Sequence, residues 1–250
     1  MNPIKILIAV PISPYEKIEP NLVKWLFRNI IHFNYEDPGK INLSYDLVEG
    51  KPIDSVRNNI MNKFLKTDND YILTIDSDIV PEDNCINTLL AWNVPIVGAT
   101  CFSFQYGRPF PVILSKVNGG YTETKLNGNR LQKCEATGAA CVLIKREVIE
   151  NMKKDLLEKT GKTMFYETKY NPQGEIGWGQ DFMFCENAMS IGYKIYVDTG
   201  IICGHYVSRL DIKRVNDLLV MEQRKAEEKH QQFKAIAEVE NDGSSNSANK

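Results

Sequence analysis

Residues 71–80 read YILTIDSDIV. Tyr71 to Ile75 are aromatic, β-branched or aliphatic, and so short a continuous run predicts a central buried strand. Asp76, Ser77 and Asp78 follow at once, and Pro81 and Glu82 open a helix that ends near Trp92. A buried parallel strand delivers the residues at its C-terminal end to the rim where open α/β sheets bind ligands. Two carboxylates at i and i+2 on that rim repel each other unless a cation compensates. Mg²⁺ and Mn²⁺, hard cations that prefer carboxylate and phosphate oxygens, meet that need. The plain alternative is a pair of solvated turn residues.

Working outward, the flanking segments alternate between two periodicities. Residues 4–10 (IKILIAV) form an apolar strand closed by a proline, and residues 41–48 alternate as a strand. Residues 21–33 carry Leu22, Trp25, Leu26 and Ile30 at helical spacing. Residues 53–66 place Val56, Ile60 and Phe64 on one helical face, with Asp54 or Ser55 as N-cap. VPIVGAT (94–100) is a further strand. This alternation of strand and helix predicts a doubly wound α/β sheet.

Beyond residue 100 the pattern is less regular. Turn signals at Asn118-Gly119-Gly120 and Asn127-Gly128 flank short alternating runs and predict a hairpin. TGAACVLIKREVIENM (137–152) reads as a strand entering a helix, and residues 159–180 are loop-rich. Residues 181–192 are helical with Gly192 as the stop, followed by a strand at 193–198 and an apolar segment at 200–205. Residues 211–240 are helical, first with an apolar face at Ile212, Val215, Leu218 and Leu219, then polar all round. That half is a solvated helix or a homo-oligomer contact. Residues 241–250 (NDGSSNSANK) read as a disordered tail.

Composition narrows the partners. A chain of 250 residues suits one large domain with an appendage. Lys and Arg number 30 against 32 Asp and Glu, a net charge of -2 that gives no general attraction to nucleic acid or anionic membranes. No apolar run approaches the ~20 residues of a membrane span. The N-terminal lysine and short apolar run are followed by Pro11 and Pro14 with no clear cleavage site, so they read as a first strand rather than a signal peptide. Six scattered cysteines without a CxxC, mostly in apolar contexts, read as buried reduced thiols in a cytoplasmic protein.

Two further segments carry chemistry. In GEIGWGQDFMFC (174–185) a glycine-rich loop runs into a helix at Asp181. Backbone amides at a helix N-terminus favour an ionised carboxylate, and one facing a substrate hydroxyl serves as a general base. The competing role is an ordinary N-cap. Trp178 beside it offers a face for a sugar or base. His205, in CGHYV, ends an apolar segment at the sheet rim, and imidazole is a good ligand for Mn²⁺. A zinc site from His205 with Cys203 and Cys185 is a weaker alternative. FSFQYGRPF (102–110) supplies further aromatics for an acceptor surface, though core packing is the commoner fate of such residues.

Together these segments resemble the glycosyltransferases of GT-A fold and family-2 type, over roughly residues 4 to 206. The resemblance is carried by ILIAVPIS (6–13), VRNN (56–59), DSD (76–78), TGAACVLIKREVIE (137–150), GWGQDF (177–182) and DTGIICGH (198–205). It implies a Rossmann-like mixed sheet flanked by helices as a catalytic domain over 1–206, with a helical extension over 207–240. It also implies a nucleoside-diphosphate sugar donor, UDP- or GDP-linked, and a glycan or other hydroxyl acceptor. In such enzymes the DxD motif holds a divalent cation, here Mn²⁺ or Mg²⁺, on the diphosphate. By resemblance Asp78 is the direct ligand, Asp76 lies near ribose and metal, and His205 completes the shell. Asp181 matches the base that deprotonates the acceptor, which implies inversion at the anomeric carbon. Pro11, Ser13 and Ser77 match nucleotide-contacting positions, and Arg57 matches a basic residue near base and pyrophosphate. Gln180 stands where the family usually has Glu.

Two rivals share parts of this pattern. YILTIDSDIV also resembles the nucleophile motif of haloacid-dehalogenase-like phosphatases, with Asp76 as nucleophile. That motif ends the first strand of its fold, whereas two strand–helix units precede it here, and no later paired-aspartate signature follows. A non-catalytic sugar-nucleotide or glycan-binding relative is disfavoured by the presence of Asp76, Asp78, Asp181 and His205 together.

Overall fold

A computed structural model describes residues 2–14, 17–105, 108–174 and 176–206. They belong to one compact unit, Met1–Arg209. The helix expected over 211–240 and the tail lie outside the described residues.

The chain opens with β1 (Ile4–Ile12), α1 (Pro20–Ile31), β2 (Ile41–Glu49), α2 (Ile53–Phe64) and β3 (Tyr71–Ile75), as the periodicities predict. A π-helical turn, His32–Glu36, prolongs α1. The short β4 (Ile79–Val80) and α3 (Cys85–Ala91) follow, then β5 (Ile96–Thr100). α3 begins later than Pro81 suggested because residues 81–84 are used elsewhere. The Glu82 carbonyl accepts from Trp25 Nε1 at 3.1 Å, and its carboxylate accepts from the Ile202 amide at 3.3 Å.

The middle of the chain forms β6 (Phe102–Gln105), β7 (Arg108–Pro111), β8 (Ile113–Val117), β9 (Gly120–Glu123), β10 (Leu131–Cys134), β11 (Ala136–Thr137) and β12 (Cys141–Lys145). β8 and β9 make the hairpin predicted at Asn118-Gly119, both of which adopt positive φ, 50° and 80°. That conformation matches the right-handed twist of paired strands. The second turn signal, Asn127-Gly128, leads instead to β10, which leaves the hairpin and joins the main sheet. α4 (Arg146–Thr160), β13 (Lys169–Tyr170), β14 (Ile176–Trp178), α5 (Gln180–Ser190), β15 (Ile195–Ile202) and β16 (Gly204–His205) complete the unit.

Seven strands make the central sheet in the order β10-β15-β5-β12-β3-β1-β2. β2, β1 and β3 run parallel, and β15 runs parallel to β5. β12 lies antiparallel between β3 and β5, and β10 antiparallel on β15. The sheet is therefore mixed and flanked by helices, the class expected, with β12 inserted where a simple doubly wound sheet would keep β3 beside β5. Successive strand residues face opposite sides. On β1, Ile6, Ile8 and Val10 meet Leu22, Trp25 and Leu26 of α1 and Ile86 and Leu89 of α3. Leu7 and Ala9 meet Val56, Ile60 and Phe64 of α2, in the core that also takes Ile149 of α4 and Phe184 of α5. Burial on both faces is why these strands read as unbroken apolar runs.

The expected strand at 193–198 and the segment after it are one strand, β15, with a register shift between Asp198 and Ile202. Asp198 is fully buried and holds this irregularity. It accepts from the Gly200 amide at 2.7 Å, Arg130 Nε at 2.9 Å and Trp92 Nε1 at 2.7 Å. The detour carries the chain on to β16, which pairs antiparallel with β4.

Candidate active site

The β4–β16 pairing sets His205 opposite Ile79, one residue past Asp78. His205 Nε2 lies 3.2 Å from Asp78 Oδ2, and the Tyr206 amide donates to the Asp78 carbonyl at 2.9 Å. The other ring nitrogen, Nδ1, lies 2.6 Å from the Phe102 carbonyl. A carbonyl only accepts, so Nδ1 carries a proton and Nε2 is the nitrogen left for a ligand or for Asp78. Burial alone would lower the His205 pKa, but Asp78 and the Phe102 carbonyl stabilise the cation and raise it.

Asp76 has a different partner. Its Oδ1 accepts from Arg57 Nη2 at 2.6 Å. Arg57, on α2, is only 5% exposed, and its Nε lies 4.0 Å from Asp181 Oδ1. One buried guanidinium thus stands between two carboxylates that are far apart in sequence. Burial works against the Arg57 charge, yet Asp76, Asp181 and the neighbouring Tyr166 hold its pKa above the ordinary value. Arg57 Nε, Arg57 Nη1 and Asp181 Oδ1 are buried without a hydrogen-bond partner among the described residues. Next to Arg57, Asn58 clasps the backbone of residue 166, donating to its carbonyl at 2.7 Å and accepting from its amide at 3.0 Å. The VRNN stretch therefore sets both the guanidinium and the Tyr166 ring 5.7 Å from it.

Asp181 sits in the first turn of α5, after the N-cap Gly179. The helix N-terminus alone suggested a carboxylate held in its ionised form. Burial outweighs that help: it raises the Asp181 pKa against the lowering by Arg57 and the Ala139 amide, and Asp76 adds repulsion. A carboxylate so raised is a stronger base once ionised. Gly138 lies beside it, where a Cβ would make only an ordinary contact with Asp181 Oδ2, at 3.8 Å.

Asp76, Asp181 and His205 line a common cleft of about 580 Å³. The aromatic residues singled out in sequence reach it as well, with Phe102, Phe110 and Trp178 on its walls. Tyr121 completes the wall, its ring 5.0 Å from Trp178 at 89° and 5.0 Å from Phe182. Its hydroxyl donates to Glu186 at 2.5 Å, and Lys116 Nζ reaches the same carboxylate at 2.7 Å.

Of the three expected cation ligands, Asp78 and His205 come together and Asp76 pairs with Arg57. Among the described residues no group of three or more His, Cys, Asp or Glu side chains is arranged to hold a metal ion. The Asp78–His205 pair nevertheless fits a divalent cation in its donor chemistry. A carboxylate and an imidazole 3.2 Å apart match two adjacent ligands of an ion with bonds of about 2.1 Å, and such ions commonly take their other ligands from water and phosphate. The Phe102 carbonyl supplies the outer contact that orients a ligating histidine.

Three sequence candidates stand apart from this cleft. Pro11 is buried on β1 opposite Val48, and Ser13 lies just past the strand end. Ser77 is 5% exposed, and its carbonyl accepts from the Glu19 amide at 2.8 Å. None of the three lines the cleft. Sequence reasoning missed Arg57 as the bridge, Tyr121 and Glu186. A signal existed for Arg57: an arginine beside Val56 and three residues before Ile60 sits among core positions. Nothing local marks Tyr121, which arrives from the hairpin.

No family model matches the chain, and neither does any curated protein. Solved structures do. A197 from STIV is similar over 82% of this chain and 86% of its own, with a TM-score of 0.50 and 14% identity. GalNAc-T7 with UDP, GalNAc and Mn²⁺ is similar over 82% of this chain and 44% of its own, at 0.46 and 9%. The catalytic domain of Drosophila beta1,4-galactosyltransferase 7 in complex with xylobiose is similar over 78% and 64%, at 0.42 and 14%. The likeness is one of fold, a mixed α/β sheet flanked by helices.

Proposed function

We propose that the chain is a glycosyltransferase that moves a sugar from a UDP- or GDP-sugar to an acceptor hydroxyl, with inversion at the anomeric carbon. The observation that carries this reading is the placement of Asp181 and of His205, the partner of Asp78, on one aromatic-walled cleft. Asp181 Oδ1 is buried without a partner among the described residues, and burial has raised its proton affinity. It takes the proton from the acceptor oxygen, which then attacks the sugar carbon as the nucleoside diphosphate departs. Arg57 neutralises Asp76 and stands 4.0 Å from Asp181, so the cleft floor does not carry two unopposed charges. A divalent cation at Asp78 and His205, Mn²⁺ or Mg²⁺, supplies charge stabilisation to the leaving diphosphate when bound. Trp178, Tyr121 and Phe110 offer apolar faces to a sugar ring. By resemblance Pro11, Ser13 and Ser77 would contact the nucleotide, although none of the three lines the cleft. Residues 1–206 form the catalytic domain in this reading. Six free, buried thiols agree with a reducing, cytoplasmic setting.

The phosphatase alternative loses ground on one contact, because Asp76 is paired through Oδ1 with the Arg57 guanidinium, which lowers the nucleophilicity of that carboxylate. The deciding assay incubates the protein with UDP- and GDP-sugars and an oligosaccharide acceptor, with and without Mn²⁺. Release of nucleoside diphosphate with inverted product is expected, and a D78A variant should lose it. A product of retained configuration would remove Asp181 from the base role.

A further inference from the structure

Four of the six cysteines, spread over 119 positions of sequence from residue 85 to residue 203, converge beneath the cleft floor. Each comes from a different place in the fold: Cys85 begins α3, Cys101 follows β5, Cys141 begins β12 and Cys203 follows β15. Cys85 Sγ lies 3.8 Å from Cys141 Sγ. Cys141 in turn meets Cys203, and Cys203 meets Cys101, so the thiols form a continuous row. The remaining two behave differently. Cys134 Sγ donates to the Ile195 carbonyl at 3.9 Å, and Cys185 Sγ donates to the Thr137 carbonyl at 3.7 Å, on the opposite face of the sheet.

One end of the row reaches the cleft. Cys101 lines the cleft and is 8% exposed, whereas Cys85, Cys141 and Cys203 are 0%, 1% and 0% exposed. Its neighbour in the row is also its neighbour in the sheet. Thr100 and Ile202 are register partners on parallel strands, and the Cys203 amide donates to the Thr100 carbonyl at 2.9 Å. Cys101 and Cys203 are therefore the next positions along two adjacent strands. Adjacent strands lie about 4.8 Å apart, inside the ~4.4–6.8 Å Cα separation that a disulfide accepts.

We propose that Cys101 and Cys203 are an oxidisable dithiol site, converted to a disulfide by a hydroperoxide entering through the cleft. The Cys101 sulfur attacks the peroxide, the O–O bond breaks, a sulfenic acid forms and one water leaves. The Cys203 sulfur then attacks the sulfenic sulfur, the S–S bond forms and a second water leaves. Two thiols are oxidised by two electrons and one hydrogen peroxide is reduced to two waters. The disulfide joins the ends of β5 and β15, next to Phe102 and two residues before His205, and so staples the segments whose carbonyl and imidazole meet at 2.6 Å. The site does not depend on the proposed transferase activity.

The test treats the full-length reduced protein with hydrogen peroxide under native conditions, alkylates it after denaturation and maps the peptides. The expected result is a loss of about two mass units reversed by dithiothreitol, a Cys101–Cys203 linked peptide, and a rise of about 5–10 °C in thermal midpoint. C134S should form the disulfide as the wild type does. C203A keeps the entry thiol without its partner and should give a Cys101 sulfenic acid trapped by dimedone. Six alkylatable thiols after treatment, a sulfinic acid on Cys101 without a linked peptide, or a disulfide that persists in C101S would each overturn the proposal.

Discussion

Asp76 and Asp78 are two residues apart and chemically identical, yet they sit in opposite surroundings. Asp76 is bound to a guanidinium that is itself 5% exposed and faces a second carboxylate. Asp78 is 37% exposed on its side chain and meets an imidazole at 3.2 Å. The first pairs with a buried guanidinium that cannot be removed cheaply, and the second belongs to an open donor pair that can accept a cation. The contrast shows that the two carboxylates of one DxD turn take different partners, a buried guanidinium for Asp76 and an imidazole for Asp78.

The largest expected effect tests the buried end. D181N should lower kcat by about 10²–10⁴-fold while leaving donor binding intact, measured by nucleoside diphosphate release. The same variant should not lose stability at neutral pH. The folded-state pKa of Asp181 is raised, so the native state holds the proton more tightly than the unfolded chain. Stability contributed by Asp181 is therefore present at acid pH and lost as pH rises through the folded pKa, a loss that asparagine avoids. A thermal midpoint for D181N well below wild type at pH 7 would contradict this.

Next comes the bridge. R57M should cost about 3–5 kcal/mol of unfolding free energy, because it leaves Asp76 and Asp181 without their shared counter-charge. R57M/D76N should recover part of that loss, and chemical denaturation of the four-member cycle measures the coupling. Additive losses would mean that the contact at 2.6 Å contributes nothing specific.

The open end should respond in ligand binding instead. D78N and H205A should weaken Mn²⁺ binding by about 10–100-fold in the presence of a nucleoside diphosphate, measured by calorimetry or manganese resonance, and D76N should weaken it less. Equal losses for D76N and D78N would break the comparison. The smallest effect concerns stability at this end. A half-exposed pair contributes under about 1 kcal/mol. The His205 pKa is raised in the fold, so that contribution is fully present below the ordinary value of 6.5 and fades as pH rises through the folded pKa. The difference in thermal midpoint between wild type and D78N should shrink from pH 6 to pH 9.

Much of this was legible beforehand. β1, β2, β3 and β5 and the helices between them follow from periodicity, because strands covered on both faces leave unbroken apolar runs. The candidate carboxylates were legible too, since strand ends and glycine-to-helix junctions place acids at the sheet rim. The reversal of β12, the departure of β10 from the hairpin and the single long β15 were not. Each depends on which strand edge accepts a newcomer, a non-local choice that no local pattern encodes. The Asp198 knot with Arg130 and Trp92 shows the same limit, joining side chains up to 106 positions apart.

By itself the sequence determined the fold class, the rim position of the DSD turn, the candidate base at the start of α5 and the histidine that follows the last long strand. These are local consequences of hydrophobic period, turn chemistry and helix ends. Only the tertiary structure decided that Asp76 belongs to Arg57, that Asp78 belongs to His205, and that four scattered thiols form one row. Partners of that kind are chosen by strand order and by burial, and in a low-dielectric interior a charge or thiol must settle with whatever group the fold brings within reach.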